Sequence, residues 1–122
     1  MNRLIATALL LLGIAAPSVA APVHVWEKQE LTFTSSKAFE NPYTSVTVWV
    51  DLTGPNFKKR VYGFWDGDRT FRVRLLATAP GVWHWRSGSD PEDSGLAGKS
   101  GTFTAIAWTE EEKKENPLRR GF

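Results

Sequence analysis

The chain has 122 residues, 15 basic and 13 acidic side chains, six tryptophans and no cysteine. The lack of cysteine excludes a disulfide framework and thiol chemistry. The formal net charge is only +2, and no basic stripe stands out, so we expect no nucleic-acid partner.

The first 20 residues have the layout of a secretory signal peptide. Met1-Asn2-Arg3 gives a short positive start, residues 4–16 are almost all apolar, and Ser18 and Ala20 are small. The apolar run of roughly 13 residues is shorter than the about 20 that span a bilayer. Cleavage after Ala20 is therefore favoured over an uncleaved membrane anchor. This predicts a secreted or periplasmic protein without a membrane partner after cleavage, and a mature part of about 100 residues that suits one domain.

Short alternating runs between turn residues dominate the mature part and indicate strands. In the clearest run, Phe71, Val73 and Leu75 share one face while Arg72 and Arg74 share the other. The strands predicted in chain order are residues 23–27, 31–34, 46–52, 61–65, 70–78, 82–86 and 102–108. Their number and spacing predict an all-β fold, an immunoglobulin-like antiparallel β-sandwich of six to eight strands, with a small barrel as the alternative.

The connections follow from turn-forming residues. We predict loops at residues 53–56 and 87–99, a loop that contains Lys58-Lys59-Arg60, and a tight hairpin at Asp66-Gly67. After Trp108, a charged, helix-favouring hexad at residues 110–115 follows a possible cap at Thr109. It has no apolar face, so we expect an exposed turn of helix or a linker. The predicted organisation is a signal peptide at 1–20, a sandwich at 21–108 and a charged linker at 109–122 that leads to a further C-terminal domain.

Candidate catalytic and metal-binding groups are few. Neither His24 nor His84 has a metal-ligand spacing, so both are interpreted as structural or surface residues. The acidic residues cluster in turns, where aspartate is common for local hydrogen bonding, rather than as a pair across a cleft. These are Asp66 and Asp68 in one turn and Asp90, Glu92 and Asp93 in the other. Calcium held by either loop is an open alternative. We predict no catalytic residue, no metal ligand and no cofactor.

The tryptophans are the strongest remaining signal. An exposed indole can stack on a sugar ring, whereas buried indoles fill the core of a small domain that lacks disulfides. Trp83 and Trp85 share one face of a predicted strand and are assigned to the core. Trp65 precedes the hairpin turn, so Trp65, Asp66 and Asp68 form the candidate carbohydrate-binding group.

An ordered set of short motifs resembles the family known as domain of unknown function 5060. The motifs are Asn41-Pro42-Tyr43, residues 61–67 (VYGFWDG), 71–74 (FRVR), 80–85 (PGVWHW) and 96–103 (LAGKSGTF). The resemblance covers residues 25–108. It implies an immunoglobulin-like domain that stands ahead of an apiosidase-like or related (β/α)8 glycoside hydrolase barrel in secreted or surface bacterial proteins.

That resemblance implies no activity for this chain, since every catalytic residue of such an enzyme would lie in the barrel. The leading hypothesis is a non-catalytic N-terminal accessory domain of a secreted glycoside hydrolase, packed on the barrel or shaping its substrate cleft. A stand-alone carbohydrate-binding module that uses exposed tryptophan is one alternative. A structural or adhesion domain of the cell envelope is the other. The expected partners are the barrel domain and a polysaccharide.

Overall fold

The computed structural model describes residues 21–120 of the chain. The predicted signal peptide and the last two residues of the predicted linker lie outside this range. Eight strands form the body: β1 (Val23–His24), β2 (Gln29–Thr34), β3 (Thr47–Gly54), β4 (Phe57–Tyr62), β5 (Phe64–Trp65), β6 (Thr70–Leu75), β7 (Gly81–Asp90) and β8 (Ser100–Ile106).

The strands form two sheets that pack face to face. One sheet has five strands in the order β1-β8-β7-β3-β4, and the other has three in the order β2-β6-β5. All pairings are antiparallel except that of β1 with β8, which is parallel. The predicted all-β, immunoglobulin-like sandwich is confirmed.

The core lies between the two sheets and follows the two-residue periodicity of the strands. Phe71, Val73 and Leu75 of β6 are buried, as their alternation predicts. The facing sheet contributes inward residues of β3 and β7, among them Val50 and Trp83, both 0% exposed. Trp85 is half-buried and packs against this core, so the core assignment of Trp83 and Trp85 is confirmed. His84 lies between them and faces outward.

The prediction of one strand over residues 61–65 is wrong, because the chain changes sheets at Gly63. Tyr62 ends β4 in the five-stranded sheet, and Phe64 begins β5 in the three-stranded sheet. The Gly63 amide donates to the Val48 carbonyl at 2.9 Å. A Cβ at Gly63 would lie 2.6 Å from the Arg72 carbonyl oxygen, so the crossing is tight enough to require glycine.

Three predicted loops are shorter than expected or absent. Lys58-Lys59-Arg60 lies in β4, an edge strand, where charged side chains discourage pairing with another chain. The loop at 53–56 contracts to a turn between Gly54 and Phe57, with Asn56 at φ 53°. The loop at 87–99 begins only after Asp90, since β7 continues to that residue.

The segment after β8 is helical. Helix α1 (Glu110–Glu115) begins with a capping box in which the Thr109 side chain accepts from the Glu112 amide and the Glu112 side chain accepts from the Thr109 amide. A 3-10 helix follows at Pro117–Arg120. No helix within residues 21–120 is long and apolar enough to cross a membrane.

Candidate functional site

The hairpin between β5 and β6 brings the predicted carbohydrate-binding group together. Trp65 is half-buried, and its indole Nε1 donates to the Asp68 carbonyl oxygen at 2.8 Å. The connection has four residues rather than a two-residue turn, with positive φ at Gly67 and Asp68. Tyr43 contacts the Trp65 ring edge-on at 5.1 Å. The indole is therefore held by local contacts on two sides.

Asp66 of this group is already engaged by a neighbouring cation. Its carboxylate accepts from Arg72 Nε at 2.5 Å, and Arg72 also pairs with Glu30 at 3.4 Å. Glu30 in turn accepts from Arg74 at 2.8 Å, and that hydrogen bond lowers the pKa of Glu30 below its ordinary value. The outer face of the three-stranded sheet is thus a network of mutually neutralised charges. The cavity beside Trp65 and Tyr43 is small, about 210 Å³.

A larger cleft lies on the outer face of the five-stranded sheet and was not predicted from the sequence. Its volume is about 770 Å³, within the range of about 300–1,000 Å³ that is typical of ligand pockets. Strands β3, β4 and β7 form its floor, and the loop over residues 91–99 forms its wall. We call it the outer cleft. Its exposed or half-buried charged and aromatic residues are Trp49, Asp51, Arg60, Arg86, Glu92 and Lys99.

Trp49 forms the aromatic part of the floor. It pairs with Gly88 across β3 and β7, and a Cβ at Gly88 would lie 2.5 Å from the Trp49 Nε1. The indole therefore lies flat over the glycine, a position that any side chain at residue 88 would block. The Arg60 guanidinium stands 4.4 Å from the centre of the indole, and Tyr62 contacts it edge-on at 6.4 Å. Tyr62 is 62% exposed, so the aromatic surface continues to the sheet edge.

The ionised side chains of the outer cleft divide into paired and unpaired groups. Arg60 donates to both carboxylate oxygens of Asp51, at 2.8 and 3.2 Å. That hydrogen bonding lowers the pKa of Asp51. Arg86, Glu92 and Lys99 have exposed side chains that make no hydrogen bond or ion pair with any other residue in 21–120.

The buried carboxylate of Asp93 stabilises the loop that forms the wall of the cleft. Asp93 is 4% exposed. Its carboxylate accepts from the Ser36 amide and the Gly95 amide, both at 2.9 Å, and from the Ser36 hydroxyl. Burial opposes ionisation, but these hydrogen bonds prevail and hold the pKa of Asp93 below its ordinary value. The same residue thus ties the loop to the end of β2, and its carboxylate is not free to bind an ion.

His84 is exposed, whereas His24 is half-buried and anchors the C-terminal segment. His24 stacks on Trp108 at 3.7 Å, and its Nε2 lies 3.8 Å from Glu112. The Arg119 guanidinium stands 4.2 Å from the Trp108 ring. No group of three or more His, Asp or Glu side chains in the described part of the chain could hold a metal ion.

The fold and the outer cleft define a small immunoglobulin-like β-sandwich domain with a polar, aromatic-floored surface site. The sequence profile of the family described as "Domain of unknown function (DUF5060)" matches residues 22–90. The chain belongs to this family, which confirms the resemblance noted in its motifs.

One solved structure with the same fold is a crystal structure described as "a putative glycoside hydrolase from Bacteroides vulgatus ATCC 8482". The two structures agree with a TM-score of 0.63 and 26% sequence identity. The match covers 75% of this chain and 17% of that chain, so the chain spans a small part of that protein's length. No curated protein matches.

Proposed function

We propose that this chain is a non-catalytic accessory domain of a secreted or periplasmic bacterial glycoside hydrolase, exported by the signal peptide at residues 1–20. The observation that carries the proposal is the structural match of three quarters of the chain to 17% of a protein described as "a putative glycoside hydrolase". The family membership of residues 22–90 supports it. In this role the domain packs beside a catalytic (β/α)8 barrel and contributes a saccharide-binding surface.

The acidic residues support the non-catalytic part of the proposal. Glycoside hydrolysis uses two carboxyl groups that act on opposite sides of the scissile bond. In the outer cleft, Asp51 is paired with Arg60 and Asp93 is buried in hydrogen bonds, which leaves Glu92 alone. In the hairpin, Asp66 is paired with Arg72. Neither place offers two free carboxylates.

The proposal can be tested by measuring both saccharide binding and hydrolysis with the chain without residues 1–20. We expect retardation in gels that contain a soluble polysaccharide recognised by the cleft, and no release of reducing sugar from that polysaccharide. Trp49→Ala should abolish the retardation. Trp108→Ala is the matched control, because it removes another half-buried indole that does not line the outer cleft. Hydrolysis by the purified wild-type chain would refute the non-catalytic assignment.

A stand-alone carbohydrate-binding module is the second candidate, favoured by the volume and aromatic floor of the outer cleft. Both candidates predict polysaccharide binding, so binding alone does not separate them. They differ in the mass of the native secreted product. The accessory domain resides in a product several times heavier than this chain, whereas the module is exported alone.

A further inference from the structure

The outer cleft contains a hydrogen-bond donor that its own protein leaves unused. The indole N–H groups of Trp65, Trp83 and Trp108 donate to the carbonyl oxygens of Asp68, Ala79 and Val25. The Nε1 groups of Trp49 and Trp85 have no acceptor within residues 21–120, and of these two indoles only Trp49 lines the outer cleft. Because the indole lies over Gly88, this N–H borders the open floor between β3 and β7. A half-buried indole donor normally has a partner, so a ligand oxygen is the natural acceptor here.

The charge of the outer cleft favours an anion. Arg60 and Asp51 neutralise each other, and the Asp93 carboxylate is satisfied by the loop it supports. The unpaired groups are two cations, Arg86 and Lys99, and one anion, Glu92. Arg86 projects from the floor beside Asp51, its cross-strand partner, and Lys99 closes the loop immediately before Ser100, the partner of Arg86 on β8. Both free cations line the cleft.

We propose that the outer cleft binds an acidic saccharide, with a uronate carboxylate held by Arg86 and Lys99 and the sugar ring against Trp49. This assignment rests on the proposed function and names the substrate class that the accessory domain recognises. The guanidinium of Arg86 suits bidentate carboxylate recognition, and Lys99 adds a mobile ammonium group. The ring hydroxyls accept from the Trp49 N–H and from the hydroxyl of Ser94 in the loop. Glu92 accepts from a ring hydroxyl.

The test compares the binding of each acidic ligand with the binding of its uncharged methyl ester. The probes are trimers of galacturonate and of mannuronate, each as the free acid and as the methyl ester, titrated calorimetrically into the chain without residues 1–20. We expect at least one free acid to bind about tenfold or more tightly than its ester, with an advantage that shrinks at high salt because the cations are exposed. Equal binding of acid and ester, or binding of neither acid, would overturn the proposal.

Variants locate the site and separate this proposal from the one on which it rests. Arg86→Gln with Lys99→Gln should remove the preference for the acid, whereas Lys114→Gln, at an exposed helix position without a partner, is the matched control and should retain it. A double variant that still prefers the acid would overturn the assignment. Ester binding that depends on Trp49 but shows no preference for the acid would overturn only the acidic class, and the accessory role would stand. The accessory role itself fails if the native product proves to be this domain alone.

Discussion

At the scale of single residues, glycines decide where the large indoles lie. Gly88, Gly101 and Gly54 lie under the rings of Trp49, Trp85 and Trp83, and a Cβ at each would lie less than 3 Å from the ring. Trp49 and Trp85 are directly opposite their glycines in the strand register. An indole opposite glycine covers backbone that would otherwise be exposed, which stabilises the sheet on both of its faces.

Gly88→Ala tests whether the glycine positions the Trp49 indole. The new methyl group would meet the ring, so we expect the free energy of unfolding to fall by about 1–3 kcal/mol and saccharide binding at the cleft to be lost. In a Trp49→Ala background the obstacle is gone, and the same change should be neutral or raise stability by roughly 0.5–1 kcal/mol. Urea denaturation of the four proteins measures this cycle. Equal effects in both backgrounds would show that the ring does not depend on the glycine.

Asp93→Asn tests the residue that holds the cleft wall. The amide nitrogen cannot accept from the Ser36 and Gly95 donors, so we expect a loss of about 2–3 kcal/mol at neutral pH. The native pKa of Asp93 lies below its ordinary value of 3.8. Its contribution is therefore complete well above pH 3.8 and is lost as the pH falls through that value toward the lower native pKa. The stability difference between wild type and variant should narrow below about pH 4. A difference that stays constant from pH 7 to pH 3 would contradict this role.

At the scale of the elements, strands whose residues alternate between apolar and polar were predictable. A strand made of charged residues, and the point where the chain changes sheets, were not. β6 shows its buried face in the sequence, because Phe71, Val73 and Leu75 alternate with arginines. β4 does not, because Lys58-Lys59-Arg60 resembles a solvated turn, and only its pairing with β3 makes it a strand. The crossing at Gly63 could not be predicted either, because a change of sheet does not alter the apolar–polar alternation of the sequence.

The segment after β8 is an element that folds back on the sandwich. The Trp108 ring stacks on His24 and also contacts the Arg119 guanidinium. Its Nε1 donates to the Val25 carbonyl at 2.7 Å. Helix α1 is only six residues long and has no buried residue, so it is too short to be stable by itself. Its order therefore depends on the capping box and on the contacts made by Trp108.

Trp108→Ala should release this segment while leaving the core intact. We expect hydrogen exchange of the amides of Lys113 and Asn116, which donate to Thr109 and Glu112, to accelerate by about tenfold or more. Exchange in β3 should change far less. Trp108→Phe keeps a ring for the stack but lacks the indole donor, so it should give an intermediate effect. Unchanged protection in Trp108→Ala would show that the stack does not hold the helix.

At the scale of the whole molecule, the candidate site was harder to predict than the fold. The alternation of Val48, Val50 and Leu52 already placed Trp49 on the outer face of its strand, and this signal could have been used. Its position opposite Gly88, 39 residues later in the chain, depends on strand register, which the sequence does not reveal. The hairpin group of Trp65, Asp66 and Asp68 is contiguous and was therefore visible, and its role in binding stays a prediction.

The whole chain combines a core that needs no disulfide, a cleft with unpaired cations and a C-terminal segment docked on the first strand. Docking of residues 109–120 fixes the direction in which the chain leaves the sandwich. In the proposed accessory role this exit would set the orientation of the outer cleft relative to a following barrel. Within the described residues, the segment predicted as an exposed turn of helix or a linker is a capped helix followed by a 3-10 helix.

The mass of the native secreted product tests the central claim most directly. An antibody raised against residues 21–120 would capture the product from the culture medium and periplasm of the producing cells, and intact mass spectrometry would measure it. We expect a protein several times heavier than the 13.6 kDa of this chain, with the domain at its N-terminus after loss of residues 1–20. A stable product no heavier than 13.6 kDa would contradict the accessory role and establish a domain that acts alone.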